Sequence, residues 1–258
     1  MIDQIDNIVE LLKIFICLPF LLYSCYLDVK TRRVTNSLWP KMLGAASILI
    51  LYDLYRFGIW YLGMTILSAV IIFIFVYLLF QLNLFGGADA KILIIIAIIM
   101  PVYPVLSTFG LQLPIWGQPP IPLFAYTVFS NSIMLTIIVP LGMVVYNLLH
   151  TPLQEIRKKP FYIFIGYKSQ ISKLRGHIKL MEEFSIKKNS VTFTFRRSGV
   201  KIDDDVKRDL IKAHKKELIG DTVWVTPGIP FMIPITAGFI AAVIFGDIIF
   251  YLTSHIIF

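Results

Sequence analysis

From residue 59 to residue 82 the chain carries no charged side chain at all. A helix needs about 20 mainly apolar residues to cross the hydrocarbon core of a bilayer. Inside lipid each backbone amide must find its partner within the segment, so such a run folds as a membrane helix. The whole chain leans the same way. Of its 258 residues 57% are hydrophobic and 16% charged, against about 45–50% and about 25% in soluble domains. Six apolar runs are visible: 8–27, with Pro19 as a kink; 37–55; 59–82; 90–106; 123–149, broken near Pro140; and 229–252, which carries Asp247. The opening residues bring Asp3 and Asp6 but no basic stretch and no small-residue cleavage site, so the first run is expected to stay as a helix and not to be removed.

Charge then orients the helices. Cytoplasmic loops are enriched in Lys and Arg. The first loop holds Lys30, Arg32, Arg33 and Lys41, and the stretch 150–226 holds 17 of the 24 basic residues and 9 of the 16 acidic ones. The connection at 107–122 has no charge and four prolines, Pro114, Pro119, Pro120 and Pro122, and reads as an external, polyproline-like link. This pattern places both termini outside and the basic stretch in the cytoplasm.

Residues 150–226 are a different kind of sequence. The stretch 191–196 alternates with period two and reads as a strand, as does 221–226. Between them Asp203 begins a helical run to Leu218, with acids at its start and Lys near its end, as the helix dipole favours. The expected fold is thus an α-helical polytopic membrane protein of about six transmembrane helices, with a small α+β cytoplasmic domain between the fifth and the sixth. The divisions are 1–149, 150–226 and 227–258. A domain of that size supports only a marginal core and would lean on the membrane part of the chain or on lipid head groups.

Metal and redox chemistry find little here. Cys17 and Cys25 lie eight residues apart in the first run, roughly 12 Å along a helix, too far for a disulfide; both read as small buried hydrophobes. His150, His177, His214 and His255 lack the spacing of a ligand pair. No metal, no cofactor and no nucleic-acid partner is expected.

Two aspartates stand out against this background. Asp28 ends the first apolar run and opens Asp28-Val-Lys-Thr-Arg-Arg-Val-Thr-Asn36. Asp89 opens the fourth from Gly86-Gly87-Ala88-Asp89-Ala-Lys91. An ionisable residue in or at a membrane is a functional-site hypothesis by default. The charge pattern puts both at the cytoplasmic ends of their helices, hence at one depth. Two carboxylates that share a proton can divide the work, one holding the proton while the other activates a water. Each also has a plain structural reading: Asp28 as a helix end at the interface, Asp89 as the N-cap of the fourth helix.

Both stretches resemble the motifs of type IV prepilin peptidases, the second being of the GxGD type, and the six-helix layout is similar to their archaeal branch, the preflagellin peptidases. Ala88 stands where the motif has Gly, and Thr35 where bacterial relatives often have Pro. The cysteine-rich loop that accompanies N-methyltransferase activity in the bacterial enzymes is absent from this sequence. The resemblance implies an intramembrane aspartic endopeptidase, free of cofactors, that removes the short class III signal peptide from archaellin or pilin-like precursors at the cytoplasmic face. Asp28 and Asp89 would be catalytic. Gly86 and Gly87, by allowing close backbone approach, would contact the substrate, together with Asn36 and Lys30; the plain alternatives are that the glycines only allow the turn into the fourth helix and that Asn36 hydrogen-bonds its own loop. Lys30, Arg32 and Arg33 also read as the positive-inside anchor. Asp247 reads as paired inside the bundle, and Asp203–Asp205 as a solvated helix start. Two other classes would use the same residues: a cation- or proton-coupled transporter, against which no internal repeat is visible, and a non-catalytic assembly factor of a surface filament.

Overall fold

The computed structural model describes residues 4–82, 84–108, 110–174, 178–187, 190–228 and 230–257. Asp3, His177 and Ile229, the expected first residue of the last helix, lie outside them. The chain forms two compact units, residues 1–136 with 230–258, and residues 137–229.

The first unit is helical. It contains α1 (Gln4–Thr31), α2 (Leu38–Gln81), α3 (Gly87–Ile99), a small hairpin of β1 (Leu106–Thr108) and β2 (Leu111–Leu113), and α4 (Phe124–Thr136). Helix α1 continues through Pro19 and four residues past the expected end, so Asp28 lies inside its last turn and not beyond it. The helix closes when Arg32 turns left-handed, with φ 56, while its N–H still reaches Asp28 O at 3.0 Å.

Expected helices two and three are continuous as α2, broken only at Gly58, with φ 62 and ψ −141. Straight, 44 residues would span about 66 Å. Yet Asn36, just ahead of α2, bonds Lys91 in α3 at 2.7 Å, and a methyl group on Gly87 would sit 3.7 Å from the Phe80 ring near the other end of α2. Both ends of α2 therefore meet the first turn of α3, and the helix doubles back at Gly58. A backbone conformation with φ > 0 is one that glycine adopts without steric cost.

The fourth helix is shorter than its apolar run suggests. It ends at Ile99 where an end at 106 was expected, because Pro101 brings no amide to the ladder and restricts Met100 before it. The following residues make the β1–β2 hairpin, so the expected polyproline-like link is partly strand. Asn7 brackets that hairpin, donating to Ser107 O and accepting from Ser107 N, both at 2.9 Å.

The second unit holds α5 (Ile138–His150), α6 (Leu153–Lys158), α7 (Tyr162–Ile165), β3 (Tyr167–Gln170), β4 (Ile178–Lys187), β5 (Ser190–Lys201), α8 (Asp204–Lys215) and β6 (Thr222–Pro227). The strands form one antiparallel sheet in the order β3-β6-β4-β5. Its core gathers Ile171, Leu174, Leu180, Leu210, Val223 and Val225. The two strands and the helix expected from period and capping are β5, β6 and α8, and Asp203 caps α8 by accepting the Val206 N–H at 2.9 Å. The compact units divide ahead of α5, whereas the apolar pattern places the boundary at 149/150. The break expected near Pro140 falls at Ile137, which leaves Pro140 in the first turn of α5, where proline is tolerated.

The chain returns to the first unit with α9 (Met232–Ile244) and α10 (Ile248–Ile257). The expected last helix is bent by 61° between them, around Gly246 at φ 102. Asp247 caps α10 by accepting from Phe250 N at 3.0 Å and from Ser130 Oγ at 3.3 Å, a structural pairing of the kind expected. Among the described residues three helical runs are long and apolar enough to cross a bilayer, α1, α2 and residues 124–150, with α9 and α10 together as a fourth. The core of this unit packs Ile92, Leu93 and Ile96 of α3 against Phe124 and Val128 of α4 and Ile235 and Phe239 of α9. At Gly238 a side chain would meet Val128 O at 2.6 Å, so α4 and α9 approach as small-residue membrane helices do.

One buried ionic group has no signature in the local sequence pattern. Lys13 of α1 is fully buried; its ammonium meets Glu10 Oε1 at 2.7 Å and the carboxylate of Asp53 in α2, itself buried, and lies 5.6 Å from the ring centroid of Tyr61.

Candidate active site

Asp28 is delivered by the last turn of α1. Its Oδ2 accepts the backbone N–H of Met232, the first residue of α9, at 3.3 Å. The first amides of a helix have no partner within it, so α9 offers a donor to a carboxylate some two hundred positions away in sequence. The start of α9 is fastened one turn earlier on α1 as well. Cys25 Sγ donates to Met232 O at 3.2 Å and lies 3.0 Å from Thr236 Oγ1. Cys25 is thus a polar fastener more than the buried hydrophobe expected of it. Neither this cysteine nor the α9 amide could be found from local sequence pattern, since both contacts are long-range.

Asp89 comes from the first turn of α3, ahead of that helix's apolar run. Gly86 before it is extended, with φ −78 and ψ 149. The Asp89 carboxylate folds back over it, so that a methyl group added to Gly86 would lie 2.5 Å from Asp89 Oδ2. Gly87 has no such conflict; its nearest neighbour is the Phe80 ring at 3.7 Å. Gly86 therefore serves space and not a left-handed backbone. Phe85 alongside stacks edge-on with Phe231 at 5.2 Å and Phe129 at 5.7 Å, an apolar layer joining the chain before Asp89 to the chain before Met232.

The two aspartates feel one another. Burial pushes the Asp89 carboxyl up to about 7, the charge of Asp28 adds to the rise, and a hydrogen bond with the Gly86 backbone opposes it. Desolvation and a like charge both disfavour the ionised form, so Asp89 is the member of the pair suited to hold a proton near neutrality.

The other expected site residues are placed as follows. Lys30 turns onto its own helix, donating to Tyr26 Oη at 3.0 Å. The side-chain oxygen of Asn36 accepts from Lys91 Nζ at 2.7 Å. Lys91, two residues past Asp89, was not among the residues singled out from the sequence, although it stands inside the second motif.

The type IV leader peptidase family model matches residues 15–147, a stretch holding both aspartates, and the model described as the archaeal peptidase A24 C-terminus, type II, matches residues 158–248. The chain is 29% identical over 232 residues to a preflagellin peptidase of Methanococcus voltae, covering 88% of this chain and 92% of that protein. It is 24% identical over 232 residues to a preflagellin peptidase of Methanocaldococcus jannaschii, covering 88% and 91%. It is also 28% identical over 131 residues to the prepilin peptidase EppA of Methanothermobacter thermautotrophicus, covering 49% and 33%.

Proposed function

The chain belongs to the type IV leader peptidase family and is an aspartic-type peptidase, and on that premise we propose that it removes the class III signal peptide of archaellin or pilin-like precursors, using Asp28 and Asp89. The observation that supports the reading is that Asp89, at the start of α3, is buried and within electrostatic reach of Asp28, at the end of α1, so that it is inclined to hold a proton. A water held between them attacks the scissile carbonyl carbon. Asp28 takes the water's proton while Asp89 gives its own to the carbonyl oxygen. Collapse of the resulting gem-diol breaks the C–N bond, with a proton passing to the leaving amine. The substrate must be extended at the cut, because a helix keeps its carbonyls in internal hydrogen bonds. The relatives are peptidases, so neither a carrier nor a non-catalytic assembly factor is favoured. Purified protein mixed with a preflagellin should yield a product shortened by the leader, identified by mass spectrometry. An intact precursor after prolonged incubation would overturn the reading.

Gly86 gives a sharper test of the pair. Its φ and ψ suit alanine, but the added methyl must displace the Asp89 carboxylate, a flexible group whose movement costs little stability. Gly86→Ala should lower kcat/KM by tenfold or more, about 1.4 kcal/mol, with little change in melting temperature. Gly87→Ala meets only ordinary contact and should stay within threefold of wild type. Equal, large losses in both would instead mark the two glycines as a surface for the substrate backbone.

The charge distribution further supports an orientation with both termini outside and the aspartates at the cytoplasmic face. With Cys17 and Cys25 replaced by serine, single cysteines at Thr31 and Lys216 should react in intact cells only with membrane-permeant thiol reagents. One at Gln118 should also react with impermeant reagents. Labelling of Lys216→Cys from outside would invert the orientation.

A further inference from the structure

We propose that Lys91 is a positioning residue: bonded to Asn36, it clasps the end of α1 to the start of α3 and so sets the separation of the two carboxylates. This rests on the reading of Asp28 and Asp89 as the catalytic pair. The two helices that carry the pair make few direct contacts with one another; each packs on α2. Something must therefore hold their ends in register, since a misplacement of about 1 Å can cost 100-fold in rate.

The bond between Lys91 Nζ and Asn36 Oδ1, 2.7 Å, is placed to do this. Hydrogen bonds hold the turn between α1 and Asn36 at both its ends. On the α1 side hydrogen bonds run through the turn: Arg32 N to Asp28 O at 3.0 Å, Thr31 Oγ1 to Leu27 O at 2.9 Å, Arg33 N to Thr31 Oγ1 at 3.3 Å, and Leu38 N to Thr35 O at 3.1 Å. On the α3 side Ala90 N donates to Gly86 O at 3.0 Å, which fixes the turn that holds Asp89. Lys91 leaves α3 about 200° around the axis from Asp89, so it can reach the α1 turn without crossing the space between the carboxylates. A charge-assisted N–H···O bond is roughly twice as strong as a neutral one, which suits a link that acts beside the contacts α1 and the chain before α3 share with α2 and the start of α9. The clasp also gives the Asn36 side-chain oxygen a partner in the protein itself, on α3, where the sequence left its own loop and the substrate open.

The test compares wild type with Lys91→Met, Asn36→Ala, Asn36→Asp and the Lys91→Met/Asn36→Ala pair in precursor cleavage. Each neutral single variant should lower kcat at least tenfold, with KM within twofold and melting temperature unchanged. Asn36→Asp keeps an acceptor for the ammonium and should stay within threefold of wild type. The double variant should be no slower than the worse single one, because both remove the same bond. Wild-type kcat in either single variant, losses that multiply in the double, or an effect on KM alone would overturn the clasp. An arm independent of activity uses spin labels at Val29 on α1 and Ile94 on α3, with Cys17 and Cys25 replaced. Wild type should give one narrow distance, and Asn36→Ala a broadened one. An unchanged distribution overturns the clasp whatever the cleavage assay shows. Broadening in a protein whose wild type cuts no precursor would keep the clasp and sink the peptidase reading instead.

Discussion

Asp28→Asn and Asp89→Asn should each reduce precursor cleavage by at least a thousandfold, roughly 4 kcal/mol of transition-state stabilisation, while the protein still inserts and folds. Either amide abolishes the division of labour. Asparagine at 28 cannot take the proton of the attacking water, and asparagine at 89 has no acidic proton to give. Asp247→Asn should keep substantial activity, since Asp247 is occupied with Phe250 N and Ser130 Oγ at the bend between α9 and α10. The same pair fixes the sign of the pH dependence. Asp89 is useful when protonated, and burial with the nearby Asp28 charge keeps it so up to about pH 7. As pH rises through that value the proton is lost and two like charges face each other. The profile of kcat/KM should therefore show an alkaline limb near 7. A flat profile to pH 9, or near wild-type cleavage by either dyad variant, would refute the assignment.

The legible part of this protein was what the sequence writes locally. The period-two strand at 191–196, the helix opened by Asp203, and the two aspartates at the mouths of apolar runs are all set by neighbours a few residues away, and the structure places them as elements or turns of the expected kind. What escaped is what only folding brings together. The amide that α9 offers Asp28, the Cys25 contact to Thr236, and the Lys91–Asn36 bond join positions far apart in sequence. Gly86 is intermediate. The sequence pointed to close approach at this glycine, but what approaches is the protein's own Asp89 carboxylate. Pro101 was visible all along, yet the apolar residues beyond it hid its effect. The fourth helix ends several residues short of its apolar run, and a hairpin follows.

Lys13 supplies the largest expected effect on stability. Lys13→Met keeps the apolar stem but removes the ammonium between Glu10 and Asp53. Both the lysine and Asp53 are almost wholly buried, so the variant leaves carboxylates in an apolar setting without their cation. Breaking one side of a buried ion pair typically costs about 3–5 kcal/mol, a penalty for the uncompensated charge and not the net worth of the pair. Unfolding in detergent, followed by denaturant titration, should show a loss of that size. Replacing the whole group tests the cause. In Glu10→Gln/Lys13→Met/Asp53→Asn no charge remains to be desolvated, and stability should return to within about 1–2 kcal/mol of wild type. The cluster joins α1 to the first arm of α2, so its loss should loosen that pairing, while Asp28 and Asp89 keep their own contacts to α9 and Gly86. If Lys13→Met is as stable as wild type, the ammonium is not what compensates these carboxylates. If the triple variant is as unstable as the single one, the cost lies in packing and not in charge.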